Sequence, residues 1–350
     1  MPRRIGLPSN VTAADQLQHS RAPTAGVQPL PAGAGGRATA SAVGIVDASP
    51  LTFLVIGDHG GVKDPNPQNA VSNAMQARSA EDPRPAFAYT VGDIVYFNGD
   101  ATEYTPQFYE AYGHLLLPIV GISGNHDGDT TDDPSRKPLD TFMANFCASS
   151  PALPVGNEEY HRDTQTQPYC DWTLTLEAVT IIGIYTNVPA GGRLEASQTD
   201  WLTGELKAAP ADLPVIVTLH HPPYSVDAMH GGSKPMGDAL DAAFTAAGRT
   251  PDLVLSGHVH DYQRFTRTLD GKQIPYIVIG NSGYHNLHLL AKGANVGEQL
   301  TDEVTFEFGD DANWGFLELT VAGQKITGIY TSVTKDGQAT PGADRFTTGG

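Results

Sequence analysis

The stretch that decides the fold reads Leu-Thr-Phe-Leu-Val-Ile-Gly-Asp and occupies residues 51–58. Its first six residues are apolar or β-branched, and a glycine and a carboxylate follow them. A short uninterrupted run of this kind indicates a strand that is buried on both faces. Two later runs end in the same way, at Gly92-Asp93 and at Gly124-Asn125. This repetition predicts parallel strands that each carry a polar side chain at the carboxyl end.

Beyond residue 51 the predicted strands alternate with predicted helices. Strands are predicted at 51–56, 86–91, 115–122, 214–219, 253–256 and 276–279, with hairpins at 172–185 and 314–331. Helices are predicted at 68–79, 102–112, 139–146, 197–208 and 236–247. Alternation of strands and helices is typical of βαβ units, so we expect an α/β fold.

The two ends of the chain differ in composition from this central part. Residues 1–50 are rich in Ala, Gly, Pro, Ser and Thr and show no periodicity, which predicts a flexible leader. We expect one domain over residues 51–335 and a tail over 336–350. Arg3 and Arg4 are not followed by the apolar segment that a signal peptide needs, so both the cytoplasm and export remain open as locations.

The charge balance excludes several classes of partner. The chain has 350 residues and a formal net charge of −18, which disfavours nucleic acid and anionic membranes as partners. No apolar run approaches the roughly 18 residues that span a bilayer. Cys147 and Cys170 are the two cysteines, and they either form one disulfide or remain thiols. The oligomeric state is left open.

Residues of metal-ligand type follow five of the predicted strands. The five blocks are GDHG at 57–60, GDIVY at 92–96, GNHD at 124–127, VTLH at 217–220 and GHVH at 257–260. Ligands of open α/β sheets bind beyond the carboxyl ends of the strands, so these blocks should converge. Carboxylate, phenol, amide and imidazole donors together suit iron, manganese or zinc. Asp93 can bridge two ions, and two ions about 3.5–4 Å apart activate water and hold phosphate oxygens.

Together the five blocks resemble the calcineurin-like metallophosphoesterases, and among these the purple acid phosphatases, whose pattern is GDxG, GDxxY, GNH, VxxH and GHxH. The wider superfamily begins with D-x-H, and its histidine is a metal ligand; Gly60 stands at that position here. The purple branch instead has a tyrosine three residues after the second aspartate, and Tyr96 stands there. The resemblance covers roughly residues 51–284. It implies a four-layer α/β/β/α sandwich of two mixed sheets flanked by helices, with residues 51–335 as the catalytic domain.

The resemblance also implies a centre of two metal ions. The first, ferric iron, would be held by four residues: Asp58, Asp93, Tyr96 and His260. The second, which would be ferrous iron, zinc or manganese, would be held by four residues: Asp93, Asn125, His220 and His258. Phosphate monoesters of small molecules would be hydrolysed by a metal-bound hydroxide at this centre.

Three residues are implied to bind substrate, and two of them are histidines with a catalytic role. Asn125 would bind phosphate, and His126 beside it would bind phosphate and protonate the leaving group. His230 lies ten residues after His220, where plant-like members of the family place a second such histidine. An unperturbed imidazole has a pKa of ~6.5, so both histidines could be cationic at acidic pH, which suits anion binding and proton donation.

Two other functions fit the same ligand blocks, and simpler roles fit the neighbouring histidines and Asp127. A phosphodiesterase of the same superfamily, acting on cyclic nucleotides or phospholipid headgroups, uses the same ligands, and a non-catalytic phosphate- or metal-binding module is the alternative from a different class. His59 and His221 are expected to be neighbours of ligands, and Asp127 to orient its loop. His285 and His288 are expected to make ordinary polar contacts, although His285 could line the cleft.

Overall fold

Two mixed β-sheets lie face to face in the computed structural model of the chain, which describes residues 12–18, 35–154, 158–187 and 192–348. The strands are β1 (Gly36–Thr39), β2 (Leu51–Ile56), β3 (Ala88–Thr90), β4 (Ile119–Gly121), β5 (Trp172–Thr175), β6 (Thr180–Ile184), β7 (Val215–Leu219), β8 (Leu253–Ser256), β9 (Tyr262–Leu269), β10 (Lys272–Ile279), β11 (Glu298–Gln299), β12 (Val304–Asp310), β13 (Trp314–Ala322), β14 (Lys325–Val333) and β15 (Ala339–Thr348). One sheet has nine strands in the order β1-β5-β6-β7-β8-β10-β9-β12-β11. The other has six, in the order β15-β14-β13-β2-β3-β4.

Each sheet combines a parallel part with an antiparallel part. In the six-stranded sheet β2, β3 and β4 are parallel, whereas β13, β14 and β15 are antiparallel. In the nine-stranded sheet β6, β7, β8 and β10 are parallel neighbours, and β9 and β12 continue the sheet in antiparallel pairs. Pro275 lies inside β10, where the pairing with β8 has not yet begun, so its missing N–H costs no bond to that neighbour.

Helices cover the outer faces of both sheets. They are α1 (Ala13–Gln16), α2 (Asn66–Ser79), α3 (Glu110–Tyr112), α4 (Asn125–Gly128), α5 (Asp140–Phe146), α6 (Ala196–Ala208) and α7 (Lys234–Ala247). Short 3₁₀ helices occupy Ala40–Val43, Ala101–Glu103 and Glu158–Tyr160, and a π-helical turn occupies Thr105–Tyr109. Sequence signals mark the limits of α7: the Ser233 hydroxyl accepts the N–H of Met236 at 3.3 Å, and Gly248 ends the helix at φ 64°.

The hydrophobic core forms three layers that alternate with the sheets. Phe53 and Val55 of β2 point between the two sheets, where Phe53 stacks on Phe87 with ring centroids 4.7 Å apart. Leu54 and Ile56 point to the opposite face and pack against α2 and α5. The third layer lies between the nine-stranded sheet and helices α6 and α7. The structure therefore confirms the four-layer α/β/β/α sandwich of two mixed sheets.

The predicted boundary at residue 51 is wrong for the described part of the leader. Gly36–Thr39 pairs in parallel with β5, and Val43 and Ile45 are buried between the sheets. Gly36 lies so close to Pro168 that a Cβ would not fit. The glycine-rich composition therefore allows close backbone packing here and does not mark a linker. The rest of the predicted leader, at 1–11 and 19–34, lies outside the described residues.

The predicted tail also belongs to the fold. Residues 339–348 form β15, which pairs with β14 along its length. Asp344 of this strand accepts from Arg264 at 2.7 Å and from the Tyr262 hydroxyl at 2.9 Å, and both partners lie on β9 of the other sheet. The local sequence, which is polar and contains Gly and Pro, does not predict this strand, because the contacts that stabilise it come from residues far away in the sequence.

The structure bears on two open points, the state of the cysteines and the presence of a membrane-spanning helix. Cys147 is partly buried and Cys170 is buried, and the two are not bridged. Among the described residues, none of the helices combines the length and the apolar character that crossing a bilayer requires.

The inter-sheet layer should dominate the stability of the fold. Leu317 of β13 has no exposed surface and packs between the sheets, whereas Leu116 is 72 % exposed. We expect Leu317→Ala to lower the free energy of unfolding by about 2–5 kcal/mol, because it removes buried methyl groups and leaves a cavity. Leu116→Ala, the same substitution on the surface, should change it by less than about 0.5 kcal/mol. Urea denaturation measures both, and equal losses would contradict the assignment of the core.

Candidate metal centre

Five strands from both sheets end at one edge of the sandwich and bring the ligand blocks together. Asp58 follows β2, Asp93 follows β3 and Asn125 begins α4 just after β4, all in the six-stranded sheet. His220 follows β7 and His258 follows β8 in the nine-stranded sheet. The centre therefore lies where the carboxyl ends of parallel strands from the two sheets meet.

Three of these positions have a backbone conformation that side chains other than glycine rarely adopt. The φ angles are 51° at Asp58, 54° at Asp93 and 69° at His258. Each such residue costs on the order of 1–3 kcal/mol and persists only where its surroundings hold it. Hydrogen bonds between the turns provide that hold: the Asp58 N–H donates to Gly92 O at 2.9 Å and the His59 N–H to Asp93 O at 3.1 Å. Strain at three candidate ligands is typical of a functional site.

One part of the centre is a triangle of side-chain atoms. The Tyr96 hydroxyl lies 3.3 Å from Asp58 Oδ1 and 3.3 Å from His260 Nε2. His260 Nε2 in turn lies 3.4 Å from Asp58 Oδ1. All three side chains are buried. A phenol, a carboxylate and an imidazole thus point at one another.

The other part of the centre surrounds the amide oxygen of Asn125. Asn125 Oδ1 lies 3.1 Å from His220 Nε2 and 2.9 Å from His258 Nδ1. His220 Nε2 also lies 3.4 Å from Asp93 Oδ2. The ligand atoms of Asp58, Asp93 and His220 all lie within 4.8 Å of one another, so the two parts are contiguous.

The second oxygen of each carboxylate is held by a backbone N–H from another ligand block. Asp58 Oδ2 accepts the N–H of His258 at 2.7 Å, and Asp93 Oδ1 accepts the N–H of His126 at 2.9 Å. These bonds fix the remaining oxygens toward the centre, as the outer bonds of metal-ligating carboxylates do.

In His220 and His260, the hydrogen bond made by Nδ1 determines the tautomer of the ring and therefore what Nε2 offers to the centre. His220 Nδ1 lies 2.9 Å from Val91 O, and His260 Nδ1 lies 3.2 Å from Asn286 O. A carbonyl only accepts, so each Nδ1 carries the proton and each neutral ring presents a lone pair at Nε2. Those lone pairs point at carboxylate oxygens, which also only accept. Facing acceptors of this kind fit a metal cation between them.

The electrostatics of the protein without metal agree with this fit. Burial, together with the neighbouring charge of Asp93, raises the pKa of Asp58 to about 8. Burial alone would lower the pKa of His220, but the carboxylates of Asp93 and Asp58 raise it to about 9. Burial and the same carboxylates raise the pKa of the Tyr96 phenol well above its usual value. Protons therefore compensate the buried charge wherever a cation is absent.

Asp127 organises the loops around the centre, as the sequence indicated. Its carboxylate accepts the N–H groups of Ile94 at 3.0 Å, Val95 at 3.2 Å and Gly124 at 2.8 Å. Burial and the nearby Asp93 raise its pKa to about 7. It ties the second ligand block to the third.

Two histidines next to ligands lie behind the centre. His59 Nε2 is 3.1 Å from the Thr90 hydroxyl, and its ring packs edge-on against Tyr112 at 5.3 Å. Burial lowers the pKa of His59 to about 3. His221 Nδ1 lies 2.6 Å from the Thr186 hydroxyl, and its ring packs on His258. Both contacts agree with the expectation that these residues neighbour the ligands.

A cavity of about 420 Å³, which we call the side cavity, opens beside the centre. Its lining includes three polar residues of the ligand blocks and the following loop: His126, His230 and His260. His126 Nδ1 lies 2.7 Å from Phe97 O, so Nδ1 carries a proton and Nε2 is the nitrogen available to a bound molecule. The ring of His230 lies 4.7 Å from that of His258. Both candidate catalytic histidines thus line the same space.

His230 differs from the expectation in its charge. Burial, together with the nearby His288, lowers its pKa to about 3. The expectation that both histidines are cationic at acidic pH is therefore wrong for His230 in the protein without metal. Neutral His230 would act on a substrate by hydrogen bonding rather than by charge.

Residues that the sequence reasoning missed complete the surroundings. The ring of Tyr284 lies 4.3 Å from that of Tyr96 and 4.4 Å from that of His260. The buried Asp227 accepts the N–H of His230 at 3.0 Å and lies 3.2 Å from Nδ1 of His288. Applying the strand-end rule to β10 would have found the loop of Tyr284 and His288. The Asp227 bonds to His230 and Gly231 have no equally clear sequence signal.

His285 and His288 both contact the surroundings of the centre. His288 stacks on His260 with ring centroids 4.4 Å apart, and it makes the polar contact with Asp227 described above. His285 lies beside Tyr284 and lines the side cavity. Both positions agree with the interpretation from the sequence.

The comparisons with known proteins agree with this geometry. The family model described as calcineurin-like phosphoesterase matches residues 51–262. A probable purple acid phosphatase of Arabidopsis thaliana is 32 % identical over 234 residues, which are 62 % of this chain and 50 % of that protein. A 3',5'-cyclic-nucleotide phosphodiesterase of Nostoc sp. is 30 % identical over 226 residues, which are 63 % of this chain and 68 % of that protein.

A solved structure of a purple acid phosphatase from yellow lupin seeds shares the fold, with a TM-score of 0.62 and 18 % identity. The match covers 86 % of this chain and 54 % of that one. The chain spans half or less of the length of the curated Arabidopsis purple acid phosphatases that it matches.

Metal binding to the metal-free protein should release protons. At pH 7 Asp58, with a pKa of about 8, and His220, with a pKa of about 9, are both protonated, so a cation has to displace those protons. The apparent affinity for Zn²⁺ should therefore rise with pH until about pH 8–9. Calorimetry at pH 7 in buffers of different ionisation enthalpy should detect release of about two protons per metal-loaded centre from Asp58 and His220, and a third where the Tyr96 phenol ionises on binding.

The control for this titration is His161→Ala, which alters an exposed histidine away from the centre. It should leave both the affinity and the proton count unchanged. An affinity that stays constant between pH 6 and about pH 8.5, measured against a competing chelator, would contradict the charge state derived above.

Proposed function

The chain belongs to the calcineurin-like phosphoesterase family, and we propose that it is a phosphomonoesterase of the purple acid phosphatase type, with iron in a centre of two metal ions. The observation that carries this proposal is the position of Tyr96, whose hydroxyl lies 3.3 Å from both Asp58 Oδ1 and His260 Nε2. A phenol among candidate ligands distinguishes this centre from one built of carboxylates and histidines alone.

The proposed ligands follow the two parts of the centre. The first ion would be held by four residues: Asp58, Asp93, Tyr96 and His260. The second would be held by four residues: Asp93, Asn125, His220 and His258. The facing acceptor atoms at Asp58 with His260 and at Asp93 with His220 support this division. Hard oxygen and imidazole donors suit iron, zinc or manganese in the second position.

The steric relation between Gly60 and Tyr96 supports the iron-binding branch. A Cβ at position 60 would lie 2.8 Å from Cδ2 of Tyr96 and 2.6 Å from the Gln107 amide oxygen. It would also lie 2.8 Å from Ile94 O, so the backbone of the second ligand block, Gln107 and the ring of Tyr96 together exclude a side chain at position 60 in this arrangement. The buried phenol ionises only with strong help, which a trivalent cation gives better than a divalent one.

Each residue around the centre would have a separate role in the reaction. The metal ions, when bound, supply positive charge for the phosphate oxygens and activate the attacking water. Asn125 turns its oxygen toward the histidines, which leaves its amide N–H groups to donate to phosphate. Neutral His230 would donate a second hydrogen bond. His126, fixed through Nδ1, would give a proton from Nε2 to the ester oxygen as the P–O bond breaks.

A phosphodiesterase is the second candidate. The 68 % coverage of the Nostoc cyclic-nucleotide phosphodiesterase, which exceeds the coverage of the purple acid phosphatases, favours it. The absence of a histidine at position 60 argues against it. Rates on p-nitrophenyl phosphate and bis(p-nitrophenyl) phosphate distinguish the two, because the proposal requires the monoester to be the better substrate. The presence of a full donor set argues against a non-catalytic binding module.

Tyr96 should give the iron-loaded protein its colour. We expect the aerobically iron-loaded parent to absorb visible light through phenolate-to-iron charge transfer, and Tyr96→Phe to lose this band. Tyr284→Phe is the matched control, because it removes a hydroxyl from the ring that packs on Tyr96. Metal analysis should find iron in the parent. A colourless, iron-containing parent would falsify the assignment of Tyr96 as an iron ligand.

His126 should be needed for turnover rather than for metal binding. We expect His126→Ala to lower kcat on p-nitrophenyl phosphate at acidic pH by about 10²–10⁴, because proton transfer to the leaving oxygen is lost. Its backbone N–H still holds Asp93, so the metal content should stay unchanged. His161→Ala should match the parent. If His126→Ala is as active as the parent, the proposed mechanism is wrong.

A further inference from the structure

Beside its histidines, the side cavity has a wall of apolar side chains. It includes Phe97, Met229, Leu287, Leu289 and Trp314. These side chains come from three loops around the centre and from the first residue of β13. Phosphate held at the centre would have its ester group directed into this space, because His126 and His260 line both.

Aromatic rings on this wall are held in place before any ligand arrives. Phe97 is 37 % exposed, although it is the neighbour of the deeply buried Tyr96. Its ring meets that of Tyr284 edge-on, with centroids 6.3 Å apart, and Lys63 Nζ lies 4.8 Å from its centroid. The Trp314 indole N–H donates to Tyr284 O at 2.8 Å. Rings fixed in this way lose little freedom when another ring packs against them.

The charge on this wall limits what can bind. No lysine or arginine lines the side cavity in the described part of the chain, and its carboxylate is that of Asp311. Asp311 is held in place because it accepts the N–H of Leu290 at 3.0 Å. A negatively charged ester group, such as a second phosphate, would face this carboxylate, and Lys63, which lies against the ring of Phe97, is not among the lining residues.

We propose that the side cavity binds the ester group of the substrate and selects an uncharged, flat aromatic ring. Two classes of phosphate monoester carry such a ring: arylalkyl phosphates and nucleoside monophosphates. The volume of about 420 Å³ lies within the range of about 300–1,000 Å³ that is usual for small-molecule sites. This inference rests on the phosphomonoesterase activity proposed above and names its substrate class.

The test compares pairs of esters that differ in the ring but share the type of leaving alcohol. One pair is adenosine 5'-monophosphate with ribose 5-phosphate, and the other is 2-phenylethyl phosphate with ethyl phosphate. The matched alcohols remove the effect of leaving-group acidity. We expect kcat/KM to be about tenfold higher for the ring-bearing member of at least one pair, mainly through KM.

Substitution of Phe97 links this preference to the side cavity. Phe97→Leu should lower the ratio of kcat/KM within the preferred pair to about a third or less, because the ring contact is lost. Phe97→Tyr keeps a ring and should retain the ratio. Competitive inhibition by inorganic phosphate reports on the centre itself and should be equal in both variants.

Each result of the substrate comparison either identifies the source of the ring or contradicts one of the two proposals. Preference for the adenosine ester identifies a nucleoside as the source of the ring, and preference for the phenylethyl ester identifies an arylalkyl group. If both pairs are hydrolysed without a preference, or if Phe97→Leu leaves the ratio unchanged, the inference about the side cavity is overturned while the phosphatase remains. If the metal-loaded protein hydrolyses no monoester, the proposed function itself fails.

Discussion

The structure depends on a set of buried lone pairs that face one another where the two sheets meet. Carboxylates on the six-stranded sheet point at imidazole nitrogens on the nine-stranded sheet, and the backbone carbonyl behind His220 accepts from its Nδ1, so the neutral ring presents a lone pair at Nε2. Such a set repels itself unless a proton or a cation lies within it. The contacts that define the chemistry are therefore also contacts between the two halves of the sandwich, beside the apolar layer that packs between the sheets.

Close packing around Tyr96 limits which side chains the metal centre can contain. Gly60 and Tyr96 look like two separate departures from a common pattern when they are read in the sequence. In the structure they are sterically linked, because the ring of Tyr96 occupies part of the space that a side chain at 60 would need, together with Ile94 O and the Gln107 amide oxygen. Gln107 completes this arrangement, since its amide oxygen accepts the Tyr96 N–H at 3.0 Å. The phenol is thus fixed through its backbone as well as its ring.

The positions of the candidate ligands were predictable because each follows a strand, and strand ends gather at one edge. The fold class followed from the same alternation. β1 and β15 were not predictable, because glycine, proline and threonine in those segments are stabilised by partners far away in the sequence. The charge of His230 was equally inaccessible, because it depends on burial in the folded chain and on the nearby His288.

Residues 12–18 pack against a loop that lies more than 200 residues later in the sequence. Gln16 O accepts the N–H of Gly232 at 2.9 Å and Leu17 O accepts that of Ser225 at 3.1 Å, on either side of His230. Closing a loop of more than 200 residues costs chain entropy before these bonds repay it, and such non-local contacts form slowly. The His230 loop should therefore be among the last parts to acquire native order during folding, after the strands that carry the ligands have already paired.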